Sequence, residues 1–479
     1  MANQDSGVDV SLAYGVETTR GVTPTGSIKG TLSGAVINGA VAEGATTLAL
    51  DGAAGGGTIL KGDRFTVASV AGEYFFTSAY TADGGGVIAS AAFQPPAPAG
   101  GFGDDAAITL VDRPAMKVLR TLNKRINEQR DRLTNRELTS HGQPVQDRHG
   151  FRQIAAGLQF QLSRADFDDL MVLVTSDAGA AGGTTAATTL NAVAATGGNA
   201  AKYTRAAGSF VTDGHQEGDW ITASGFTNAA NNGRHLVKSV AALSLEVYGD
   251  LTAESGGGNE AIAGPGKRFL LKNDAEVKSW FVERQFQVSH RYQLFNGVAA
   301  QSLRFQLQPN EIVTGELNLL GMSGTAMKTT SVNAAPTVAS TNEVFDTFSG
   351  ALYLANQAVA NVTGIEFTLD LRRQVQRVLF SKFTPDIYKS MVQIPGQVSA
   401  FLTDEVMYNL FYNETLFSLG FRMDDPNGTD WHGFYFPVVK VFEAPLDPPA
   451  EGPIPMPLTM NASYSTTLGT SLVWCRSNA

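Results

Sequence analysis

A single cysteine, Cys475, leaves the sequence without any intramolecular disulfide framework, and nothing in it calls for an oxidising compartment. Charge is sparse at 17% of residues, while glycine is plentiful at 51. Sparse charge with Gly-, Thr- and Ala-rich stretches points to short strands and many turns, not long helices. No window approaches about 18 consecutive apolar residues, so no helix is expected to span a membrane. The first residues, Met1-Ala2-Asn3-Gln4-Asp5-Ser6-Gly7, lack the basic and apolar regions of a signal peptide. The formal net charge is −10, a poor basis for wrapping nucleic acid, which needs clustered Lys and Arg.

Catalytic patterns are missing too. His141, His149, His215, His235, His290 and His432 are scattered, and no His-Glu-x-x-His pair occurs. Gly264-Pro265-Gly266-Lys267-Arg268 lacks the spacing and hydroxyl of a Walker A loop. There is no Gly-x-Ser-x-Gly elbow and no EF-hand loop. Asp166, Asp168 and Asp169 are read as solvated partners of a helix dipole, not as a metal site. Cys475 has no evident activating partner and is read as inert. The expectation is therefore a protein that is not an enzyme, with no catalytic residues, no cofactor and no metal.

What the chain does contain is a pattern written twice. Gln153-Ile154 leads through Leu162 to Ser163, Phe167, Leu170 and Met171; Gln393-Ile394 leads through Leu402 to Thr403, Met407, Leu410 and Phe411. Each reads as a strand followed by a hydroxyl N-cap, early carboxylates and a short helix with one apolar face. Strands are expected in the same order in both halves. In the first they cover 118–126, 154–162, 277–286, 303–307 and 312–320; in the second, 365–371, 391–402, 415–423, 434–442 and 457–464. Asp425-Pro426-Asn427-Gly428 supplies a tight turn.

The first half is interrupted. After its helix the next strand is delayed by about a hundred residues, bounded by Gly-rich stretches that read as linkers around an inserted module. Residues 33–112 carry two basic and eight acidic side chains, and 175–266 carry four and eight. Two acidic β modules thus attach to a balanced core, sharing the phrases Lys61-Gly62-Asp63-Arg64 and Glu217-Gly218-Asp219-Trp220. The expected division is an N-terminal arm 1–32, module 33–112, core half 113–174 with 267–330, module 175–266, linker 331–342 and core half 343–479. The fold class is mainly β: two tandem sandwich or barrel domains, each with a short flanking helix, plus two small inserted all-β modules.

Residues 113–152 concentrate ten Lys or Arg against four acids. Arg130, Arg132, Arg136, Arg148 and Arg152 are read as an inter-subunit contact loop, because roughly 20 residues without a fold of their own are unusual unless they bind something.

The phrases Leu12-Ala13-Tyr14-Gly15-Val16-Glu17 and Gly21-Val22-Thr23-Pro24 resemble the start of tailed-phage tail tube proteins. So do Leu133-Thr134-Asn135-Arg136-Glu137-Leu138, Gln146-Asp147-Arg148-His149-Gly150, Tyr292-Gln293-Leu294-Phe295-Asn296-Gly297 and Pro309-Asn310-Glu311-Ile312-Val313-Thr314-Gly315. The resemblance covers 8–30, 113–174 and 267–330, and reaches 343–476 through the duplication. It implies a major tail protein of the virion: rings stack into a hollow conduit, and DNA passes through its lumen without specific binding. Family rings are commonly hexamers of single-domain chains, so two domains per chain imply a homotrimeric, pseudo-hexameric ring. Implied partners are the chain itself, tape measure, tail terminator and tail tip proteins, with no membrane. Implied locations are the virion tail and, during assembly, the host cytoplasm. The alternatives are a capsid or capsid-decoration protein, or a carbohydrate-binding adhesin.

Overall fold

The computed structural model describes the chain except residues 1–4, 136–142, 144–145, 165, 197–198, 274, 355–356, 359–361, 404, 450 and 479. The protein is mainly β, with two short α-helices among the described residues. The first half contains β1 (Val10–Val16), β2 (Ile126–Leu133), β3 (Arg148–Gln161), α1 (Asp168–Thr175), β4 (Trp280–Phe286), β5 (Arg291–Leu307) and β6 (Thr314–Gly321). The second contains β7 (Gly350–Leu354), β8 (Val362–Asp370), β9 (Ile394–Phe401), α2 (Val406–Tyr412), β10 (Phe417–Asp424), β11 (Trp431–Glu443) and β12 (Pro455–Ser463), with β13 (Val473–Arg476) at the C-terminus.

Hydrogen bonding repeats as faithfully as the order. In the first half the antiparallel neighbours run β1, β4, β5, β6, β3, β2. In the second they run β7, β10, β11, β12, β9, β8. The halves then join: β8 pairs with β5, from Ser302 opposite Asp370 to Leu307 opposite Ile365. One 17-stranded sheet results. Its apolar side packs into a core shared by both halves, where Phe305 lies 5.5 Å from Phe367, 5.5 Å from Phe434 and 5.6 Å from Trp474.

Several expectations need correction. The segment expected as an N-terminal arm supplies β1, whose Leu12-Ala13-Tyr14-Gly15 run is buried on both faces and so shows no alternation. Module 33–112 is thus preceded by a core strand. The strand expected over 118–126 instead begins where that range ends, because Ile126–Leu133 gains its bonds from β3 despite polar side chains on both faces. Ser163 does not cap α1: Phe167 holds the N-cap position, and Ser163 donates to Asp166 at 2.6 Å. Glu405, not Thr403, precedes α2.

The modules form separate sheets. Six strands of the first surround Phe65, Phe76, Phe93 and Phe102. Seven strands of the second surround Tyr203, Phe210, Ile221 and Val237.

Candidate assembly surface

The basic segment is a hairpin arm, not a loop without structure. Arg130 stands opposite Arg152, Arg132 opposite His149, and Leu133 opposite Arg148. Like charges facing one another across a ladder repel, and Glu128 relieves this pair, 2.8 Å from Arg130 and 3.6 Å from Arg152. Arg132 pairs with Asp147 yet keeps 78% of its side chain exposed. Arg148 is exposed, and Arg136 lies outside the described residues. Arg152 differs from these: its backbone N–H donates to Lys382 O at 2.8 Å and its guanidinium lies 5.0 Å from the Phe383 ring. The four described arginines therefore split between an outward-facing arm and a joint with the chain's own second half.

Sequence reasoning missed the partner of that joint. Arg377 pairs with Asp131 at 2.9 Å and lies 5.1 Å from the Phe151 ring. Between the contacts at Arg377 and Lys382, Val378, Leu379 and Phe380 project into solvent, Leu379 at 85% exposure. An apolar triplet between two basic residues, outside any alternating strand, was the available signal. Arginines and apolar tip together make a surface suited to a protein partner.

The carboxylates at the start of α1 are half-buried and ion-paired. Asp168 accepts from Arg476 at 2.6 and 2.8 Å and from Lys267 at 2.7 Å, drawing β13 onto the helix. Burial pushes its carboxyl up, but these cationic donors outweigh burial and hold its pKa below the ordinary 3.8. Asp169 accepts from the Tyr14 hydroxyl at 3.0 Å and from Lys117 at 2.7 Å. Asp166 accepts from Arg120 at 3.3 Å. One helix start thus ties β1, the linker region and the C-terminal strand together.

Both modules attach by the same device. The shared Gly-Asp phrase is a turn with a left-handed glycine, φ +82° at Gly62 and +84° at Gly218, followed by a fully buried aspartate. Asp63 faces Arg113 at 3.4 Å; Asp219 accepts from Arg268 at 3.0 and 2.8 Å. The second module is inserted in the first half but docks on the second. Trp220, Leu236 and Tyr248 pack with Trp431, Tyr435, Val473 and Cys475, and Tyr435 donates to Glu217 at 2.8 Å. The glycines at its borders serve close approach more than flexibility: a Cβ on Gly182 would sit 2.2 Å from Pro265, and one on Gly179 2.5 Å from Phe269.

Two buried histidines have hydrogen-bonding partners, Thr185 Oγ1 lying 3.1 Å from His215 Nε2. His432 accepts from Trp474 Nε1 at 3.2 Å, and burial lowers its pKa to about 3. Burial likewise lowers His215 and His235 to about 4. Among the described residues, no three His, Cys, Asp or Glu side chains are placed to hold a metal. No helix among them is long and apolar enough to cross a membrane.

No curated protein matches the chain. The family described as phage tail tube protein matches residues 7–462, almost the whole sequence, and spans both halves and both modules. With its duplicated strand order, the chain belongs to the phage tail tube protein family.

Proposed function

We propose that three copies close each ring of the tail tube, with two halves per chain supplying six pseudo-equivalent positions. The observation that supports this is the junction between β5 and β8. Two halves of equal topology already meet there by strand pairing, so the chain carries inside itself one of the contacts that a ring repeats. Its role is structural, and genome delivery follows from the hollow axis that stacked rings enclose. The chain works in the virion tail after assembly in the host cytoplasm, with the tape measure, tail terminator and tail tip proteins as its neighbours. DNA passes without being gripped, consistent with the net negative charge. The arm carrying Arg130, Arg132 and Arg148, with Leu379 and Phe380 beside it, contacts another copy. Neither alternative, capsid protein or adhesin, draws support from the family match.

The test is the mass of an isolated ring, or averaged end-on views of purified tubes. Three chains per ring, with threefold outer knobs and a pseudo-sixfold wall, are expected. Six chains per ring would overturn the reading of the duplication.

A further inference from the structure

We propose that the free edge of β2 in one copy is completed by residues 443–448 of the next copy, in the register that β8 and β5 display within one chain. The inference rests on the ring reading above and names its seam.

Three observations carry it. The first is topological. β8 is bonded on both sides, to β9 within its half and to β5 across the halves. β2 holds the same place in the first half, yet among the described residues it pairs only with β3. Its outer edge is the one that β8 has filled.

The second is positional. β4 ends on β5 with Trp280 opposite Val298, and β10 ends on β11 with Phe417 opposite Val439. Four residues further along, Ser302 begins the stretch that receives β8; four residues beyond Val439 stands Glu443. On the donor side Ile126 lies opposite Ala156, and Phe367 opposite Gly396. Residues 124–129 therefore take the place of 365–370. The transferred register sets Glu443 against Gln129, Leu446 against Ile126, Asp447 against Arg125 and Pro448 against Lys124.

The third is chemical. Leu446 occupies the place of Phe305, which is fully buried against Phe367, yet Leu446 is 37% exposed. The seam inside the chain is crossed by the Arg304–Glu366 ion pair at 2.8 Å. In the open seam Arg125 takes the position of Glu366, and Asp447 faces it. Acid and base complement each other with their sides exchanged. Beyond the seam Arg373 reaches Leu173 O and Ser176 Oγ at the end of α1, both at 3.4 Å. Arg132 is its counterpart on the arm, which gives the exposed guanidinium a destination at the end of α2. Pro445 and Pro448 cannot donate to a ladder, so this edge is protected from indiscriminate pairing before a matching copy arrives.

The test pairs Asn127→Cys with Pro445→Cys, opposite one another in the proposed register and both exposed. Cys475 is fully buried and does not compete. Oxidised tubes run without reductant should give covalent oligomers that end at three chains, whereas either single variant gives none. Tubes visible by negative stain without cross-links, or better cross-linking from an Asn127→Cys, Phe442→Cys control, would overturn the seam and leave the tube reading intact. Failure of the unmodified protein to form rings or tubes would remove the tube reading itself. Should the cysteine variants not assemble, Arg125→Glu and Asp447→Arg decide: each alone should abolish tubes and the two together restore them. No restoration would overturn the proposal.

Discussion

In the first half the stretch 302–307 is covered by a strand of the second, and Phe305 is wholly buried. In the second half the matching stretch ends in prolines, and Phe442 and Leu446 remain exposed. The helices repeat the contrast: α1 buries Leu170, Met171, Leu173, Val174 and Thr175, whereas α2 buries only Met407 and Leu410. The two halves share a topology and differ in how complete they are. Leu446 is left open where Phe305 is covered, and in the proposed ring that is where a neighbour sits.

Phe305→Ala breaks the completed side. It should cost the isolated chain about 3–5 kcal/mol, as removal of a fully buried aromatic does, read as a lower denaturant midpoint. Leu446→Ala, its counterpart, should leave that midpoint nearly unchanged and weaken assembly instead. Equal effects on the isolated chain would dissolve the contrast.

A smaller effect separates the halves by pH. His432 in β11 corresponds to exposed Arg291 in β5. Its folded pKa of about 3 lies below the unfolded 6.5. Its contribution is therefore complete above pH 6.5 and is lost progressively as pH falls towards 3. At pH 5 the loss is about 2 kcal/mol. His432→Gln should flatten the stability curve between pH 6.5 and 4. A slope unchanged by the substitution would place the acid sensitivity elsewhere.

The smallest effect on folding is expected at the arm. Arg130→Glu, Arg132→Glu and Arg136→Glu together should shift the melting midpoint little, because exposed ion pairs contribute about 0–1 kcal/mol each. Tube formation should nevertheless fail, or become strongly salt-dependent. Normal tubes from this triple variant would mean that the arm contacts no other copy.

The second half was the more legible in sequence. Its strands β8 to β12 fall within three residues of the alternating runs, and Asp425-Pro426-Asn427-Gly428 forms its turn, Gly428 N–H donating to Asp425 O at 2.8 Å. Uninterrupted order keeps its runs together, and β12 alternates with a period of two. The first half hides more. β1 is buried too evenly to alternate, and β2 is polar on both faces, so neither carries the signal. Asp168 looks like a wet helix-start carboxylate until β13, some 300 residues away, brings Arg476 to it. The joint between Arg152 and Phe383 and the docking of Trp220 on Tyr435's strand are equally non-local, and no window of sequence contains them. The arginines were visible as a cluster, but their division between an outward arm and an internal joint was not.

The Gly-Asp turns have a consequence for what the tube can carry. Arg113 and Arg268 act as sockets on the core, and each module enters with the same short plug although the two sheets have different strand counts. A plug that is independent of its cargo lets the module it holds change while the core stays as it is. Because each plug is a buried ion pair, losing one partner strands the other in a dry site at a cost of about 3–5 kcal/mol. Decoration is interchangeable in kind, but an empty socket is not tolerated.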